Sequence, residues 1–411
     1  MTSTCSQTIS GSSSLDTELK LLVPERDVQD PELSIVVPAL NEALTIGMFL
    51  DWCHEGLANA GTIGEILIVD SSTDNTAEIA VSKGARVLKA PKRGLGRAYI
   101  DALPFIRGKY VIMGDCDCTY DFREIGPFME KFRSGVEFVM GSRFRGRIDP
   151  GAMPPLHRYL GTPATTWILN VIFSSHFSDI HCGMRGISTR ALSAMGIRSQ
   201  SWEYASEMVL KSVHMRLRTD EVAIHFLKDQ DGRLSHHRRA GWFSPWQAAW
   251  INLRAMFVYG AAFFLYRPGI LFTLLGLALL LPLSFGPISV GPITFSLHWM
   301  LLGLTVATLG LQSTYLGIIA QVFFDYSGEV TARWFARCPY SRTVAIAAAT
   351  FSTGLIIDVA FLIYYMSHGF HLSDTGSSYL AVTGLFLMIA GFVTFTFALL
   401  LHATAVVVWR K

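Results

Sequence analysis

Two carboxylates one residue apart, Asp115 and Asp117, are the residues of this chain best suited to chemistry. They follow the apolar run Lys109–Met113, and on extended backbone such a pair can share a divalent cation with a bound diphosphate. Hard oxygen donors of this kind suit Mg2+ or Mn2+. The ion neutralises the oxyanions and improves a nucleotide diphosphate as a leaving group. D-x-D also occurs in ordinary solvated turns, so its setting has to decide. Glu207 is a candidate general base should the acceptor be a hydroxyl, which must lose a proton to attack. Lys228, Arg233, His236, His237, Arg238 and Arg239 form a basic cluster. It can close over a diphosphate or meet anionic lipid at a membrane surface.

The elements that must position these groups read as an α/β domain with a mostly parallel sheet. Strand-like runs cover 33–38, 63–69 (ending at Asp70), 86–88, 109–113 and 136–140, with helical stretches between them. Polar residues gather immediately after these runs: Asn41 and Glu42, Asp70, Asp115 and Asp117, Ser142 and Arg143. In open α/β sheets ligands bind at that carboxyl edge.

With those residues in place, the chain resembles the family 2 glycosyltransferases with the A-type nucleotide-diphospho-sugar fold. Pro38-Ala-Leu-Asn41-Glu42 is similar to their P-x-x-N-E element, Ile68-Val69-Asp70-Ser-Ser-Thr73-Asp74-Asn-Thr76 to their V-D-x-S-T-D-x-T element, and Gly114-Asp115-Cys-Asp117 to their metal motif. Within the family it most resembles the polyisoprenyl-phosphate glycosyltransferases, the dolichyl-phosphate mannose synthase group. Gly141-Ser142-Arg143-Phe144, the stretch from Arg158 to Asn170, Asp179-Ile-His-Cys-Gly183-Met-Arg185 and the segment Glu203–Met208 carry that likeness. The resemblance implies that Pro38, Leu40, Glu42 and Asp70 line the base and ribose pocket, joined by Asp115, and that Asp115 and Asp117 hold Mg2+ or Mn2+. It implies that Arg143, Arg158 and Arg185 bind phosphates of donor or lipid acceptor, with Arg233 of the basic cluster as a further candidate. A planar guanidinium fork suits that task. The implied reaction is inverting attack by a polyprenyl or dolichyl phosphate on a UDP- or GDP-hexose. Phosphate is already anionic, so positioning and charge stabilisation by Asp117, Arg143 and Arg158 carry it. Two departures stand out: Thr119 takes the place of a frequent Gln, and the nucleotide loop is one residue shorter than the common form.

The second half of the chain is of another kind. Residues 1–267 hold 29 of the 34 Lys and Arg, and four long apolar stretches follow, at 268–283, 297–323, 343–366 and 379–408. Each is of spanning length. The loop 284–296 is uncharged, whereas the next carries Arg333, Arg337 and Arg342 and the chain ends Arg410-Lys411. Those charges predict both ends and the catalytic half on the cytoplasmic side of the plasma (inner) membrane. Trp242, Trp246, Trp250 and Arg254 fall on one helical face and predict an interfacial helix. The expected organisation is a flexible tail over 1–30, a catalytic domain over 31–235, interfacial amphipathic helices over 236–266 and a four-helix transmembrane domain over 267–411. Asp358, inside the third span, is expected to hydrogen-bond between helices.

The N-terminal stretch lacks a long apolar run and reads as neither signal peptide nor span. The cysteines lack zinc spacing, and reduced thiols are expected. No basic arm with interleaved aromatics points to nucleic acid. The expected partners are a nucleotide-sugar donor, a polyprenyl or dolichyl phosphate and the membrane, with a homo-oligomer left open. The alternative reading is a glycolipid or polysaccharide synthase with a hydroxyl acceptor. Gln247-Ala-Ala-Trp250 lacks the Arg-Trp pair of processive synthases, which ranks that reading second.

Overall fold

The computed structural model describes residues 18–201, 203–230, 250, 254, 257, 260–325, 328–371 and 376–408. The chain divides into two compact units, Met1–Met256 and Phe257–Lys411.

The first unit is built on an eight-stranded sheet. Its strands are β1 (Lys20–Leu22), β2 (Leu33–Ala39), β3 (Gly64–Asp70), β4 (Arg86–Lys89), β5 (Tyr110–Met113), β6 (Phe138–Ile148), β7 (Arg185–Ser188) and β8 (Thr219–Phe226). They lie in the order β1-β4-β3-β2-β5-β7-β6-β8. β4, β3, β2 and β5 run parallel. They are covered on both faces, which is why they read as continuous apolar runs. The helices α1 (Ile46–Asn59), α2 (Thr76–Ser82) and α3 (Leu95–Ala102) connect them. The chain winds outward from β2 through β3 to β4, then returns to place β5 on the other side of β2. The crevice between β2 and β5 is therefore the topological switch point, where a doubly wound sheet opens to ligands.

Beyond β5 the sheet is mixed. β7 runs antiparallel to both β5 and β6, and β8 runs parallel to β6. α4 (Gly126–Arg133), α5 (Thr162–Phe173), α6 (Thr189–Met195) and α7 (Tyr204–His214) complete this half. A wide π-helical turn over 157–161 runs directly into α5. One expectation is corrected. The tail predicted over 1–30 contains β1, which pairs antiparallel with β4. Asp27 is held by both terminal nitrogens of Arg107 at 2.8 Å.

The second unit carries four helices long and apolar enough to cross a membrane: α8 (Ala261–Leu283), α9 (Leu297–Phe323), α11 (Tyr340–Ser367) and α12 (Gly376–Val408). They match the four predicted spans to within a few residues, except that α8 starts earlier, at 261, and runs through Pro268. A short amphipathic helix α10 (Glu329–Arg337) and a hairpin of β9 (Ile288–Val290) and β10 (Ile293–Phe295) lie between spans. Glycine brings the helix backbones together. A Cβ at Gly276 would sit 2.1 Å from the Ala307 nitrogen, and one at Gly310 would sit 2.2 Å from that of Thr273. On the other pair, one at Gly354 would meet the Gly384 carbonyl at 2.4 Å. Apolar tails offer helices no hydrophobic drive to associate, so small residues that permit close packing take its place. Asp358 departs from expectation. Its Oδ1 is buried against Gly384 and makes no hydrogen bond among the described residues, because the neighbouring helix presents a glycine there.

Candidate active site

The end of β5 sets the centre of the site. Asp115 and Asp117 follow its last residue within two to four positions, both half-buried at the sheet's carboxyl edge. Asp117 Oδ1 accepts from the Thr119 amide at 3.0 Å and from its hydroxyl at 2.6 Å. Cys118 between them takes a left-handed φ of 58°. This tight turn fixes the Asp117 carboxylate before any ligand arrives. Thr119, which takes the place of a frequent Gln, spends its hydroxyl proton on Asp117.

The turn is fastened across the switch point. Cys116 Sγ donates to the Pro38 carbonyl at 3.4 Å, and Cys118 Sγ lies 3.8 Å from that of Thr45. Two loops close the opposite wall. Asn41, at φ 57°, donates from its amide to Ser72 Oγ at 2.7 Å. Its Oδ1 accepts from the Thr73 amide at 2.9 Å. The Glu42 amide donates to Thr76 Oγ1 at 3.0 Å, and the buried Glu42 Oε2 accepts from Thr45 Oγ1 at 3.1 Å. Asp70 is buried at the end of β3. Its Oδ1 takes the Ser72 amide at 3.1 Å, while Oδ2 has no hydrogen-bond donor among the described residues and lies 3.6 Å from Lys89 Nζ. Pro38, Leu40, Glu42, Asp70, Asp115 and Asp117 thus come to one edge of three adjacent strands, β3, β2 and β5.

Strand register brings the later motifs to the same edge. Arg185, the first residue of β7, pairs with both Met113 of β5 and Met140 of β6. A Cβ at Gly183 would lie 2.9 Å from Asp115 Oδ2 and equally close to the Tyr120 ring. Only a bare backbone fits there. The Gly183 amide donates to Tyr120 Oη at 2.8 Å. Burial first, and then the nearby Asp115 charge among other groups, raises the acid range of Tyr99 and Tyr120, which keeps both phenols protonated against that carboxylate.

The three arginines are placed differently from one another. Arg143 is buried, and its fork grips Asp179 through Nε at 2.7 Å and Nη2 at 2.8 Å. Asp179 also receives the Arg143 and His181 amides. A guanidinium removed from water requires such a carboxylate. Burial works against the Arg143 charge, but Tyr120 and Asp179 prevail and hold its pKa above the ordinary arginine value. Arg185 is fully buried and donates to the carbonyls of Ala205 and Cys182. Arg143 and Arg185, both expected to meet phosphate, are in this structure bonded to protein groups of the edge. Arg158 is half-buried on the turn before α5, with its guanidinium 5.6 Å from the Tyr159 ring centroid. That turn is coupled to the edge where His181 Nε2 meets Thr165 Oγ1 at 2.8 Å. Burial pushes the His181 imidazole down to about 4. Asp179 opposes this, and Arg143, Arg185 and His157 reinforce it.

Glu207, the candidate base for a hydroxyl acceptor, is held within the protein. It is fully buried, with Lys211 Nζ 2.5 Å away and the Arg198 and Ser199 amides on its oxygens. Burial acts to raise its pKa, but Lys211 and Ser199 outweigh it and hold the carboxyl below the usual range. A carboxylate so satisfied is a poor proton acceptor. Arg233 and the rest of 231–249, including Trp242 and Trp246, lie outside the described residues; Trp250 is helical and exposed. The residues that sequence reasoning missed are Asp179, Tyr120 and Gly183 as working parts of the edge. Asp179 and Gly183 stood inside the quoted D-x-x-x-G-x-R segment, where only its arginine was assigned a task.

A second acidic group lies elsewhere: Asp121, Glu124 and His225 come within 4.8 Å of one another. Arg123 holds both oxygens of Asp121, and His225 Nε2 contacts Asp149 at 2.9 Å, so local pairs account for it. The Asp115/Asp117 pair fits a divalent cation better. It supplies two hard oxygen donors at a strand end, beside a crevice that four motifs border.

Comparison with known proteins bears on this arrangement. The profile described as "Glycosyl transferase family 2" matches residues 34–196, and "Glycosyltransferase family 2 C-terminal transmembrane region" matches 318–405. The low-salt glycan biosynthesis hexosyltransferase Agl6 of Haloferax volcanii is 32% identical over 384 residues, 90% of each chain. A dolichyl-phosphate hexose transferase of the same organism is 32% identical over 159 residues, 38% of this chain and 65% of that protein. Among solved structures, mannosyl-3-phosphoglycerate synthase from Rubrobacter xylanophilus matches over 55% of this chain and 72% of its own, at 25% identity and a TM-score of 0.43. On the strength of the full-length relative and the two matched regions, the chain belongs to glycosyltransferase family 2 and is a glycosyltransferase with membrane-spanning helices.

Proposed function

We propose that this enzyme moves a hexose from a nucleotide sugar to a polyprenyl or dolichyl phosphate, with inversion, on the cytoplasmic face of the membrane. The observation that carries the reading is the fastened Asp115–Thr119 turn at the switch point, facing the Asp70 and Asn41–Glu42 loops. Its breadth comes from the hexosyltransferase similar over 90% of the chain and the dolichyl-phosphate hexose transferase similar over 159 residues.

In this reading Pro38, Leu40, Glu42 and Asp70 hold the base and ribose. Asp70 Oδ2, buried without a hydrogen-bond donor, is the group that a base or ribose donor would satisfy. Asp115 and Asp117 would hold Mg2+ or Mn2+, which supplies charge neutralisation of the departing diphosphate. Arg158, with Arg233, would meet the acceptor phosphate. Arg143 and Arg185 act through the backbone they hold, aligning Gly183 behind Asp115. A phosphate oxygen is nucleophilic without a base, which agrees with a site whose candidate base, Glu207, is already satisfied. A hydroxyl acceptor would require a base that these residues do not provide.

The test uses membranes carrying the enzyme, a panel of radiolabelled UDP- and GDP-hexoses and added polyprenyl phosphate, with and without EDTA. Label should enter a mild-acid-labile lipid, and EDTA should abolish this until Mg2+ or Mn2+ is restored. Label in an acid-stable glycolipid would overturn the phosphate acceptor. Transfer indifferent to EDTA would overturn the metal.

A further inference from the structure

The hairpin between the first two spans sorts its side chains by face. β9 and β10 pair antiparallel, with Ile288 opposite Phe295, Ser289 opposite Thr294 and Val290 opposite Ile293. Partners in a ladder share a face, and successive residues alternate. Ile288, Val290, Ile293 and Phe295 therefore form one face. Ser289 and Thr294 form the other, their hydroxyl oxygens 3.1 Å apart. The turn is two residues long, with Gly291 at φ 59° in its first position, where a tight hairpin favours glycine. On the apolar face Val290 is 63% exposed, Ile293 53% and Ile288 38%, while Phe295 packs inward. No residue from 284 to 296 carries a charge. An isolated two-stranded hairpin is marginal in water. One with an open apolar face needs a cover.

We propose that the apolar face of this hairpin lies flat on the bilayer, among headgroups and the first acyl carbons, with Ser289 and Thr294 turned to water. The connections choose lipid as the cover. Four residues separate β9 from Leu283, the end of α8, and Ser296 alone separates β10 from Leu297, where α9 begins. Links so short keep the base of the hairpin within the headgroup layer, about 5–7 Å deep on each side. Strands of about 10 Å could leave that layer only by standing upright. Standing upright would lift Val290 and Ile293, beside the turn, into water. Aromatic rings mark the level. Phe285 is 96% exposed, and Trp299, the third residue of α9, has its ring 5.1 Å from that of Phe295. Such rings favour the membrane–water interface. The seat has a mechanical consequence. Phe295 packs on the cluster of Leu280, Leu283, Met300 and Tyr379, which joins α8, α9 and α12. A hairpin resting on lipid and fixed to that cluster resists sliding of these helices along the membrane normal. This seat is independent of which donor or acceptor the enzyme uses.

Two measurements read the seat. The full chain carrying Ser289→Cys, Val290→Cys, Ile293→Cys or Thr294→Cys is spin-labelled and reconstituted into phosphatidylcholine–phosphatidylglycerol vesicles. The unsubstituted chain gives the background from native thiols. Collision with oxygen, which concentrates in lipid, is compared with collision with a water-soluble nickel chelate. The preference for oxygen should be several-fold higher at 290 and 293 than at their neighbours 289 and 294. Equal openness to nickel at all four positions would overturn the proposal. Shielding of 290 and 293 from both reagents would also overturn it, since a protein segment or a second copy would then cover the face. The second measurement uses the unsubstituted chain, whose hairpin no label can disturb. A photoactivated carbene carried on acyl chains should insert at Ile288, Val290 and Ile293 and spare Ser289 and Thr294, as read by peptide mass spectrometry. Insertion without preference for face, or none in the hairpin, would overturn the proposal.

Discussion

Asp117 illustrates how one side chain is prepared for its task by its neighbours. The Thr119 amide and hydroxyl hold one oxygen, and the left-handed Cys118 makes the turn. Asn keeps that acceptor, so Asp117→Asn should fold normally by circular dichroism while transfer falls by about 10^2-fold or more, as expected when charge stabilisation at a developing oxyanion is removed. Gly183→Ala tests the contact from behind. Its new Cβ would intrude on Asp115 Oδ2 and the buried Tyr120 ring, so turnover should drop together with a loss of stability of about 1–3 kcal/mol. His181 gives a pH signature. Its imidazole is held neutral down to about 4, against an ordinary 6.5, so between those values the unfolded chain binds the proton and the folded chain does not. Stability must therefore rise with pH across that window and fall as pH drops through it. Melting temperatures measured from pH 4 to 7 should show this slope, and His181→Gln should flatten it.

At the scale of elements, the pair Arg143–Asp179 joins β6 to the segment before β7. Removing one partner from a buried ion pair strands the other, at a cost of about 3–5 kcal/mol. Asp179→Ala should destabilise the enzyme by that order in denaturant melts, and the double variant Arg143→Met with Asp179→Leu should recover much of it without recovering transfer. This pair also marks where sequence reading stops. β2 to β5 were legible because strands buried on both faces leave apolar runs, and the polar residues that end them report the sheet edge. β7 was not, because it is four residues long and opens with an arginine whose burial only its carbonyl partners explain. The Arg143–Asp179 contact spans 36 positions, and β1 is a three-residue edge strand in a polar stretch. Neither leaves a local pattern. Type and spacing revealed which residues matter, but whether an arginine faces a ligand or a buried carboxylate is a tertiary fact.

For the whole molecule, an α/β unit is joined in sequence to four helices long and apolar enough to span a membrane. The last three spans were legible to within three residues, since a stretch that must satisfy lipid over about 30 Å has few alternatives to a long apolar helix. Pro268 hid the start of the first. The basic residues Arg333, Arg337 and Arg342 between the second and third spans, against the uncharged 284–296 loop, predict a cytoplasmic C-terminus. A green fluorescent protein fused after Lys411 should fluoresce, and a cysteine placed near Gly291 should react with an impermeant maleimide from the outside of intact cells. Reaction only after lysis would reverse the orientation.

The stitching of the Asn41 and Ser72–Thr73 loops carries one more implication, for timing. These loops hold each other through amide and side-chain bonds that involve no ligand. The rim of the donor crevice is then a single stiff piece, and its arrival at a bound geometry demands no ordering of a slack segment. Donor association should accordingly wait on no ordering of the 41 and 72–73 loops, and be limited by diffusion and charge as far as this rim is concerned. The slow step of the cycle would then fall to the partner that has to travel within the membrane.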